Sequence, residues 1–295
     1  MRRRWTIALR TVVGAAIVLP LAGLVYETAA ESIDTRRFPP PGTLVDVGGR
    51  RLHLLCIGTG RPIVIFEASG FSNSASFTAA RTAISRHATV CSYDRAGSGW
   101  SDSAPADVSA GSLAEDLRRI HEGASLEPPF VIVASSIGGL VAEMFARRYP
   151  ERVSGLVFLD AANSEMLSIA NSLVDSKMRL ELGAACTAAV AAGRVGLMRL
   201  ADPWEFRRDP SRDSSRSAAL MYGAQPWRML CGVVRGVPAS LDEFARVPAL
   251  KPEIPVIALS AERTDGLVPA ACRKASRAGW TSPLRSPDCG RPTRC

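Results

Sequence analysis

The stretch that decides the fold of this chain is V-I-V-A-S-S-I-G-G-L, at residues 131–140. The apolar run at 130–133 predicts a buried parallel strand, and the apolar spacing from Leu140 onward predicts a helix that begins almost at once. Only a very tight turn fits between these two elements. Small residues on both sides leave room for that turn and place Ser136 at its tip, beside the N-terminus of the helix.

A bend of this kind has a chemical consequence for Ser136. A strained strand-to-helix turn lifts the hydroxyl out of the sheet, and the backbone N–H of Ile137 then points to where an oxyanion would form. The small residues that permit the turn are Ala134, Gly138 and Gly139. The motif therefore predicts a nucleophile elbow, and the alternative is an ordinary Ser/Gly-rich loop between a strand and a helix.

The motif resembles the pattern G-x-S-x-G, with Ala134 in place of the first glycine. With this motif at its centre, the region from about 42 to 269 resembles the α/β-hydrolase family, in particular bacterial membrane-anchored members that carry E-A-x-G in place of the usual His-Gly. The resemblance implies an α/β fold with a mostly parallel sheet, flanking helices and a helical cap insertion. It also implies a serine hydrolase that acts on carboxylic esters without a metal or an organic cofactor.

Two further segments match motifs of that family. The loop after the predicted strand at 62–66 begins E-A-S-G, so the resemblance assigns the second oxyanion donor to the backbone N–H of Ser69, with Gly70 as the alternative. Near the other end, A-E-R-T-D-G-L-V-P resembles the G-x-x-D-x-x-V-P loop, which makes Asp265 the acid of the triad. Asp160, at the end of another predicted strand, is the second choice for that acid.

One more segment has a structural interpretation. Residues 94–102, D-R-A-G-S-G-W-S-D, resemble the D-x-x-G-x-G-x-S segment of the same family, and we expect Asp94 and Arg95 to pair there.

Ser112 and Glu115 have the spacing of a capping box, which predicts the start of the next helix.

The histidine of a Ser-His-Asp triad is missing from its expected place. The chain has three histidines, and none follows His121. His53 falls in a predicted hairpin, and we expect His87 and His121 at the sheet edge opposite the elbow. Residues 273–295, rich in Arg, Pro, Ser and Cys, predict neither the last strand nor the closing helix of the fold. We interpret them as an irregular tail, produced by truncation or a frameshift, or as a naturally divergent end.

The N-terminus carries a basic head followed by an apolar run. Three arginines at positions 2–4 precede the apolar residues 11–26, which residues 5–9 extend towards the roughly 20 residues that a bilayer requires. Because basic residues stay on the cytoplasmic side, the pattern predicts a single-pass anchor in the cell membrane with the domain outside the cytoplasm. The alternative is a signal peptide cleaved near Ala30, which would make the protein secreted.

Charge and cysteine content narrow the range of partners. The net charge of +8 gathers at the two chain ends, with no basic stripe interleaved with aromatics, so we expect no nucleic-acid partner. None of the seven cysteines forms a C-x-x-C pair, so no metal site is expected. In an oxidising compartment the cysteines can form disulfides, and our choice for one bridge is Cys186 with Cys231.

These observations divide the chain into five parts and leave two functional hypotheses. The parts are residues 1–30 as membrane anchor or signal segment, 31–42 as a Pro-rich linker, 43–160 with 252–272 as the hydrolase core, 161–251 as the helical cap, and 273–295 as the irregular tail. The first hypothesis is a serine hydrolase of small-molecule esters whose activity is in doubt because the catalytic histidine is absent. The alternative is a non-catalytic binding protein or an inactive truncated product.

Overall fold

The computed structural model describes residues 2–70, 72–204 and 212–260, and these contain one mostly parallel sheet. Its strands are β1 (Thr43–Asp46), β2 (Arg51–Ile57), β3 (Ile63–Glu67), β4 (Thr89–Tyr93), β5 (Phe130–Ser135), β6 (Val153–Leu159) and β7 (Val256–Leu259). The strand order is β1-β2-β4-β3-β5-β6-β7. β2 is antiparallel to β1 and β4, and all other neighbours are parallel. The predicted fold class is confirmed.

Helices flank the sheet and form the insertion between β6 and β7. In the described ranges they are α1 (Arg2–Arg37), α2 (Thr78–Ile84), α3 (Ala110–Gly123), α4 (Gly138–Arg148), α5 (Ser164–Ser172), α6 (Ser176–Arg194), α7 (Leu197–Ala201), α8 (Arg212–Met221), α9 (Ala224–Arg235) and α10 (Val237–Arg246). Short 3₁₀ turns occupy Ser74–Phe77 and Pro150–Arg152. The helices α5 to α10 make up the cap. Asp265 and the tail at 273–295 lie outside the described residues.

The core lies where the central strands meet α3 and α4. All five residues of β3 are buried, which explains why its first four residues are a continuous apolar run rather than an alternating pattern. The largest fully buried apolar side chains of the central strands and the two helices are Ile65, Leu117, Ile120, Phe130, Ile132, Met144, Phe145, Leu156 and Phe158. Each contributes roughly 1.5–3 kcal/mol through burial, so this layer is the main source of stability for the elbow strand β5.

The N-terminal helix α1 is 36 residues long and continues well past the apolar segment. The part at Leu9–Arg37 has the length and the composition of a membrane span, with a mean hydropathy of 1.8. The helix ends at Arg37, so the expected linker at 31–42 is helical over its first half. The apolar segment is therefore joined to the domain by a continuous helix as far as Arg37.

The predicted capping box of Ser112 and Glu115 is wrong, because α3 begins three residues earlier. Ser109 is the N-cap: its Oγ accepts from the N–H of Ser112 at 3.1 Å, and Ser112 Oγ accepts from the N–H of Ser109 at 3.0 Å. A serine thus takes the place of the usual Glu or Gln. Glu115 instead accepts hydrogen bonds from Arg118 and Arg119, and the bond from Arg118 lowers the pKa of Glu115 to about 2.

Two disulfides link the described residues. The predicted bridge between Cys186 and Cys231 is present and joins α6 to α9. A second bridge joins Cys56 to Cys91, which stand directly opposite each other in the β2–β4 register. Sequence spacing could not reveal this second pairing, because the two residues meet only through the strand register.

His121, near the end of α3, is fully buried among aromatic rings. Its ring lies 4.4 Å from that of Phe130 and 6.1 Å from that of Phe145, between centroids. Among the described residues neither ring nitrogen has a hydrogen-bond partner. Burial, with a smaller contribution from the charge of Arg152, lowers the pKa of His121 to about 3. The imidazole is therefore neutral in the folded protein at physiological pH.

We expect His121 to make the protein less stable as the pH falls below 6.5. The unfolded chain, with a histidine pKa of about 6.5, takes up a proton that the folded chain does not bind, so stability is complete above pH 6.5 and declines below it. The loss at pH 5 should be about 2 kcal/mol. Urea unfolding in detergent at pH 7.5 and pH 5.0 measures it.

His121→Phe should remove most of this pH dependence, and His87→Phe is the control because His87 is exposed. An unchanged pH dependence in His121→Phe would show that other groups cause it.

Candidate active site

Ser136 occupies a sharp turn between β5, which ends at Ser135, and α4, which begins at Gly138. Its backbone φ is +50°, in the left-handed region that residues other than glycine rarely adopt. Ile137 is the N-cap residue of α4. The residue Ser136 is exposed although the strand before it is largely buried. This is the geometry of a nucleophile elbow: the strain is local and the hydroxyl projects from the end of the sheet.

The elbow packs against the loops that follow the strands on both sides of β5. A Cβ on Gly138 would lie 2.6 Å from the carbonyl oxygen of Ala68, and one on Gly139 would lie 2.2 Å from that of Ala162. The carbonyl of Ser136 accepts from the N–H of Gly139 at 3.0 Å and from that of Ala162 at 2.8 Å. These contacts explain why small residues follow Ser136 and what holds its strained backbone in place.

The E-A-S-G loop after β3 lies directly beside the elbow. A Cβ on Gly70 would lie 3.0 Å from Ile137 Cδ1 and 3.1 Å from Leu230 Cδ1 of the cap helix α9. Within the described part of the chain, the backbone N–H groups of Ser69 and Ile137 have no hydrogen-bond acceptor. The structure thus brings together the segments that carry Ser136 and both expected oxyanion donors, with a cap residue beside them.

A buried cluster of Glu67, Tyr93 and Arg95 contacts the E-A-S-G loop and holds its carbonyl groups through hydrogen bonds. The three residues are at most 3% exposed. Arg95 Nε donates to Glu67 Oε1 at 2.6 Å, Arg95 Nη1 donates to the carbonyl of Ser69 at 3.3 Å, and Arg95 Nη2 donates to the carbonyl of Ala68. The Tyr93 hydroxyl donates to Glu67 Oε2. One guanidinium therefore fixes two consecutive carbonyls of the loop, next to the N–H groups that would bind an oxyanion.

Burial disfavours the charged forms of Glu67 and Arg95, and the opposite charges of the two side chains counteract this effect. Burial is the largest single effect and disfavours a charged Arg95, but the charge and hydrogen bonds of Glu67 and Tyr93 together outweigh it and raise the pKa of Arg95. Burial raises the pKa of Glu67 as well, against the lowering effect of Arg95 and Tyr93. Burial also raises the pKa of Tyr93, which remains a neutral hydrogen-bond donor. Losing either partner of the ion pair would leave the other buried without compensation.

The expected pairing of Asp94 with Arg95 is wrong, because adjacent residues leaving β4 project in different directions. Asp94 binds His53 instead, with 2.9 Å between Asp94 Oδ2 and His53 Nδ1. Asp94 also accepts from the N–H groups of Ser74 at 2.6 Å and Trp100 at 3.1 Å. His53 Nε2 accepts from the N–H of Gly42 at 3.1 Å. The pair of His53 and Asp94 joins three loops. Both ring nitrogens of His53 are hydrogen-bonded, so neither is free for catalysis.

None of the three histidines is placed to take a proton from Ser136. His53 is three strand spacings from β5, about 14 Å at the usual separation of strands. His87 precedes β4, and His121 packs on Phe130, the first residue of β5, so both lie at the sheet edge opposite the elbow. The predicted positions of these two histidines are consistent with the structure.

Of the two candidate acids of the triad, only Asp160 is among the described residues. Asp265 lies outside the described residues. Asp160 follows β6 and is exposed, with a left-handed backbone at φ +49° and its N–H donating to the carbonyl of Leu259 at 2.8 Å. Because β5 and β6 are parallel, Asp160 is at the same edge of the sheet as Ser136.

A cavity of about 520 Å³ lies inside the cap rather than at the elbow. It is bounded by α5, α6, the end of α9 and the start of α10, and its walls are mainly apolar, as at Leu167, Val174 and Val234. None of its lining residues belongs to the elbow or to the E-A-S-G loop. Four other apolar residues of the cap, Met166, Leu173, Met198 and Trp204, do not line it. Among the described residues no group of three or more His, Cys, Asp or Glu side chains could hold a metal ion.

Comparison with known families agrees with this architecture. The sequence profile of the alpha/beta hydrolase fold matches residues 62–180, which include β3, the E-A-S-G loop, the elbow and α4. Together with the strand order, this match shows that the chain has the α/β-hydrolase fold and supports its membership of that family, as the elbow motif predicted.

Individual relatives share parts of the chain or the fold. An uncharacterized vacuolar membrane protein of Saccharomyces cerevisiae is 31% identical over 135 residues, 40% of this chain and 21% of that protein. A thermophilic esterase from Thermogutta terrifontis superposes with a TM-score of 0.54 at 19% identity, covering 74% of this chain and 78% of the esterase. The Cif epoxide hydrolase from Acinetobacter nosocomialis has a TM-score of 0.60 at 10% identity, covering 80% and 90%.

The similarities to the solved structures show the fold. The chain spans only 15%, 37% and 21% of the lengths of three curated relatives that it matches. The solved structures include both an esterase and an epoxide hydrolase, so fold similarity alone does not choose the reaction.

We expect the free energy of unfolding to depend strongly on the buried ion pair of Glu67 and Arg95. Arg95→Met should reduce the free energy of unfolding by about 3–5 kcal/mol, because it leaves the buried carboxylate of Glu67 unpaired. The double variant Glu67→Gln with Arg95→Met should lose less than the sum of the single changes. Urea unfolding of the four proteins gives this coupling energy.

Arg61→Met is the matched control, since Arg61 pairs with Glu127 on the surface, with side chains 50% and 84% exposed. Its effect should stay below about 1 kcal/mol. Additive single effects at Glu67 and Arg95 would contradict the coupling.

Proposed function

We propose that this chain is a serine hydrolase of carboxylic esters, with Ser136 as the nucleophile and the N–H groups of Ile137 and Ser69 as the oxyanion hole. One observation carries the proposal: an exposed hydroxyl on a left-handed turn stands beside two backbone segments whose N–H groups have no acceptor among the described residues. A serine at the elbow favours acyl transfer over reactions that require a carboxylate nucleophile.

In the proposed reaction Ser136 Oγ attacks the carbonyl carbon of the ester. The carbonyl oxygen gains negative charge and accepts hydrogen bonds from the N–H groups of Ile137 and Ser69. The bond to the alcohol oxygen then breaks, the alcohol leaves with a proton, and an acyl-serine remains. Water attacks this intermediate, releases the carboxylic acid and returns the hydroxyl. We assign Asp265 as the acid that would orient a base, on the family motif alone.

We expect slow turnover, because none of the three histidines supplies a base beside Ser136. In serine hydrolases the loss of one triad member costs up to about a million-fold in kcat, although the oxyanion hole and substrate binding retain part of the catalysis. The same observation favours a second candidate function, a non-catalytic protein that binds a small molecule near the elbow. Reactivity of the Ser136 hydroxyl separates the two.

We expect a fluorophosphonate probe to label Ser136 slowly, because its hydroxyl proton must leave without a neighbouring imidazole. Labelling should disappear in Ser136→Ala and persist in Ser135→Ala, one residue earlier on the chain. In-gel fluorescence over several hours, with hydrolysis of a p-nitrophenyl ester in parallel, measures both properties.

Three results can be distinguished in this experiment. Slow labelling that depends on Ser136 supports the hydrolase with a weak nucleophile. No labelling supports the binding protein. Fast labelling with ordinary turnover would mean that another base has been recruited, which would overturn our expectation of low activity.

We further propose that α1 anchors the protein in the cell membrane with the domain outside the cytoplasm, a secreted protein being the alternative. The apolar segment of α1 supports the anchor, since its side chains are exposed, for example 69% at Leu19 and 57% at Leu21. Two disulfides and the three arginines at positions 2–4 support the orientation, because disulfides persist in oxidising compartments and basic residues remain inside.

Protease added to intact spheroplasts of a bacterial host should digest the domain, since it would lie on the accessible side. Immunoblots of the membrane fraction, with a cytoplasmic protein as the protected control, measure this. Protection of the domain until detergent is added would reverse the orientation, and recovery of the protein in the soluble fraction would favour secretion.

A further inference from the structure

The second half of α1 is clamped to the cap by one arginine. Arg199 of α7 donates to Glu27 Oε1 and Oε2 at 2.9 and 3.0 Å and to Asp34 Oδ2 at 2.8 Å. Glu27 is 2% exposed, so this contact is well shielded from water. The guanidinium connects positions seven residues apart on α1, about 10 Å along the helix, so it fixes the direction of α1 as well as its position.

Close backbone contact occurs where α6 passes into α7. A Cβ on Gly23 would lie 2.5 Å from the carbonyl oxygen of Val195, and a Cβ on Gly196 would lie 2.8 Å from Tyr26 Cδ1. The two glycines thus allow α1 and this turn to touch. We name residues 195–200 the α6–α7 corner.

The corner lies at the level where the apolar segment of α1 ends. The apolar run reaches Tyr26, and the acidic residues Glu27 and Asp34 that follow bind the cap. Further towards the N-terminus, a Cβ on Gly14 would meet no atom of the described residues within 4 Å. If the run up to Tyr26 lies in lipid, the contact of Gly23 and Tyr26 with the corner places the corner at the membrane surface.

The corner presents apolar side chains at this level. Leu197 and Leu200 are 52% and 60% exposed, and, three residues apart in a helix, they share one face of α7. Arg194, the last residue of α6, is exposed next to them. Exposed leucines beside an exposed arginine suit the boundary between acyl chains and phosphate headgroups.

We propose that the α6–α7 corner is a second lipid-contacting surface, in which Leu197 and Leu200 enter the bilayer interface beside α1. The inference rests on the proposed anchoring of α1 and not on the proposed ester hydrolysis. Its occupant is the bilayer itself, because the corner is continuous with a helix that would already lie in lipid. The cap that leans over the elbow is then fixed against the membrane at one end.

The test uses the full-length protein in phosphatidylcholine vesicles that contain a photoactivatable diazirine phosphatidylcholine. After illumination, mass spectrometry locates lipid adducts along the cap. We expect adducts on residues 195–200. Leu180 and Leu182 are the internal control, because they are 76% and 41% exposed but lie about 20 Å or more before the corner along α6.

A pair of glycine variants in α1 tests the cause of the contact. Gly23→Val should abolish the adducts on residues 195–200, because the new side chain would collide with the carbonyl of Val195. Gly14→Val adds the same side chain where nothing lies nearby, so the adducts should remain. Both variants keep every residue of the candidate active site.

Each other outcome contradicts a defined part of the inference. If the protein floats with vesicles but residues 195–200 carry no adduct, or no more than Leu180 and Leu182, the lipid-contacting corner is wrong and the anchor stands. If the protein does not float with vesicles, the anchor and the corner are both wrong. The activity of Ser136 affects neither result.

Discussion

The left-handed turn at Ser136 depends on a close fit between three loops. Such a backbone is unfavourable for a residue with a side chain, and it persists because the surrounding structure leaves no alternative. Gly138 lies against the loop after β3 and Gly139 against the loop after β6, each closer than any side chain would allow. The carbonyl of Ser136 is tied to Ala162 as well. The parallel order of β3, β5 and β6 is what brings these three chain segments to one edge of the sheet.

The loop beside the elbow is held mainly by a buried charged side chain, with a backbone hydrogen bond of 3.4 Å from the N–H of Ser72 to the carbonyl of Ser69. Arg95 lies two residues after β4 and binds the carbonyls of Ala68 and Ser69 in the loop that follows the neighbouring strand β3, while Glu67 neutralises it. With these carbonyls fixed, the N–H groups on the other side of the peptide units have defined directions. A preorganised donor of this kind is what an oxyanion hole requires, because no rearrangement is then needed as charge develops.

The cap contacts both the loop beside the elbow and the N-terminal helix α1. Leu230 of α9 approaches Gly70 beside the elbow, and Arg199 of α7 binds α1. A disulfide between α6 and α9 joins these two parts of the cap, which limits their independent movement. The arrangement gives a mechanical link from the N-terminal helix to the candidate active site, through side chains that are far apart in sequence.

The sequence by itself determined the class of fold, the elbow and the apolar N-terminal helix, because each depends on short-range patterns: an apolar run, a cluster of small residues, and a long apolar segment behind three arginines. It also placed His87 and His121 at the far edge of the sheet, since the order of strands and helices sets that edge. Local pattern failed at Ser112 with Glu115, where a serine at the third position of α3 already completed the capping box. Only the tertiary structure decided that Arg95 pairs with Glu67, that Asp94 pairs with His53, that Cys56 meets Cys91, and that Arg199 clamps α1. Arg95 and Glu67 are 28 residues apart, Asp94 and His53 are 41 apart, Cys56 and Cys91 are 35 apart, and Arg199 and Glu27 are 172 apart. These partners meet through strand register and helix packing, which no spacing along the chain encodes.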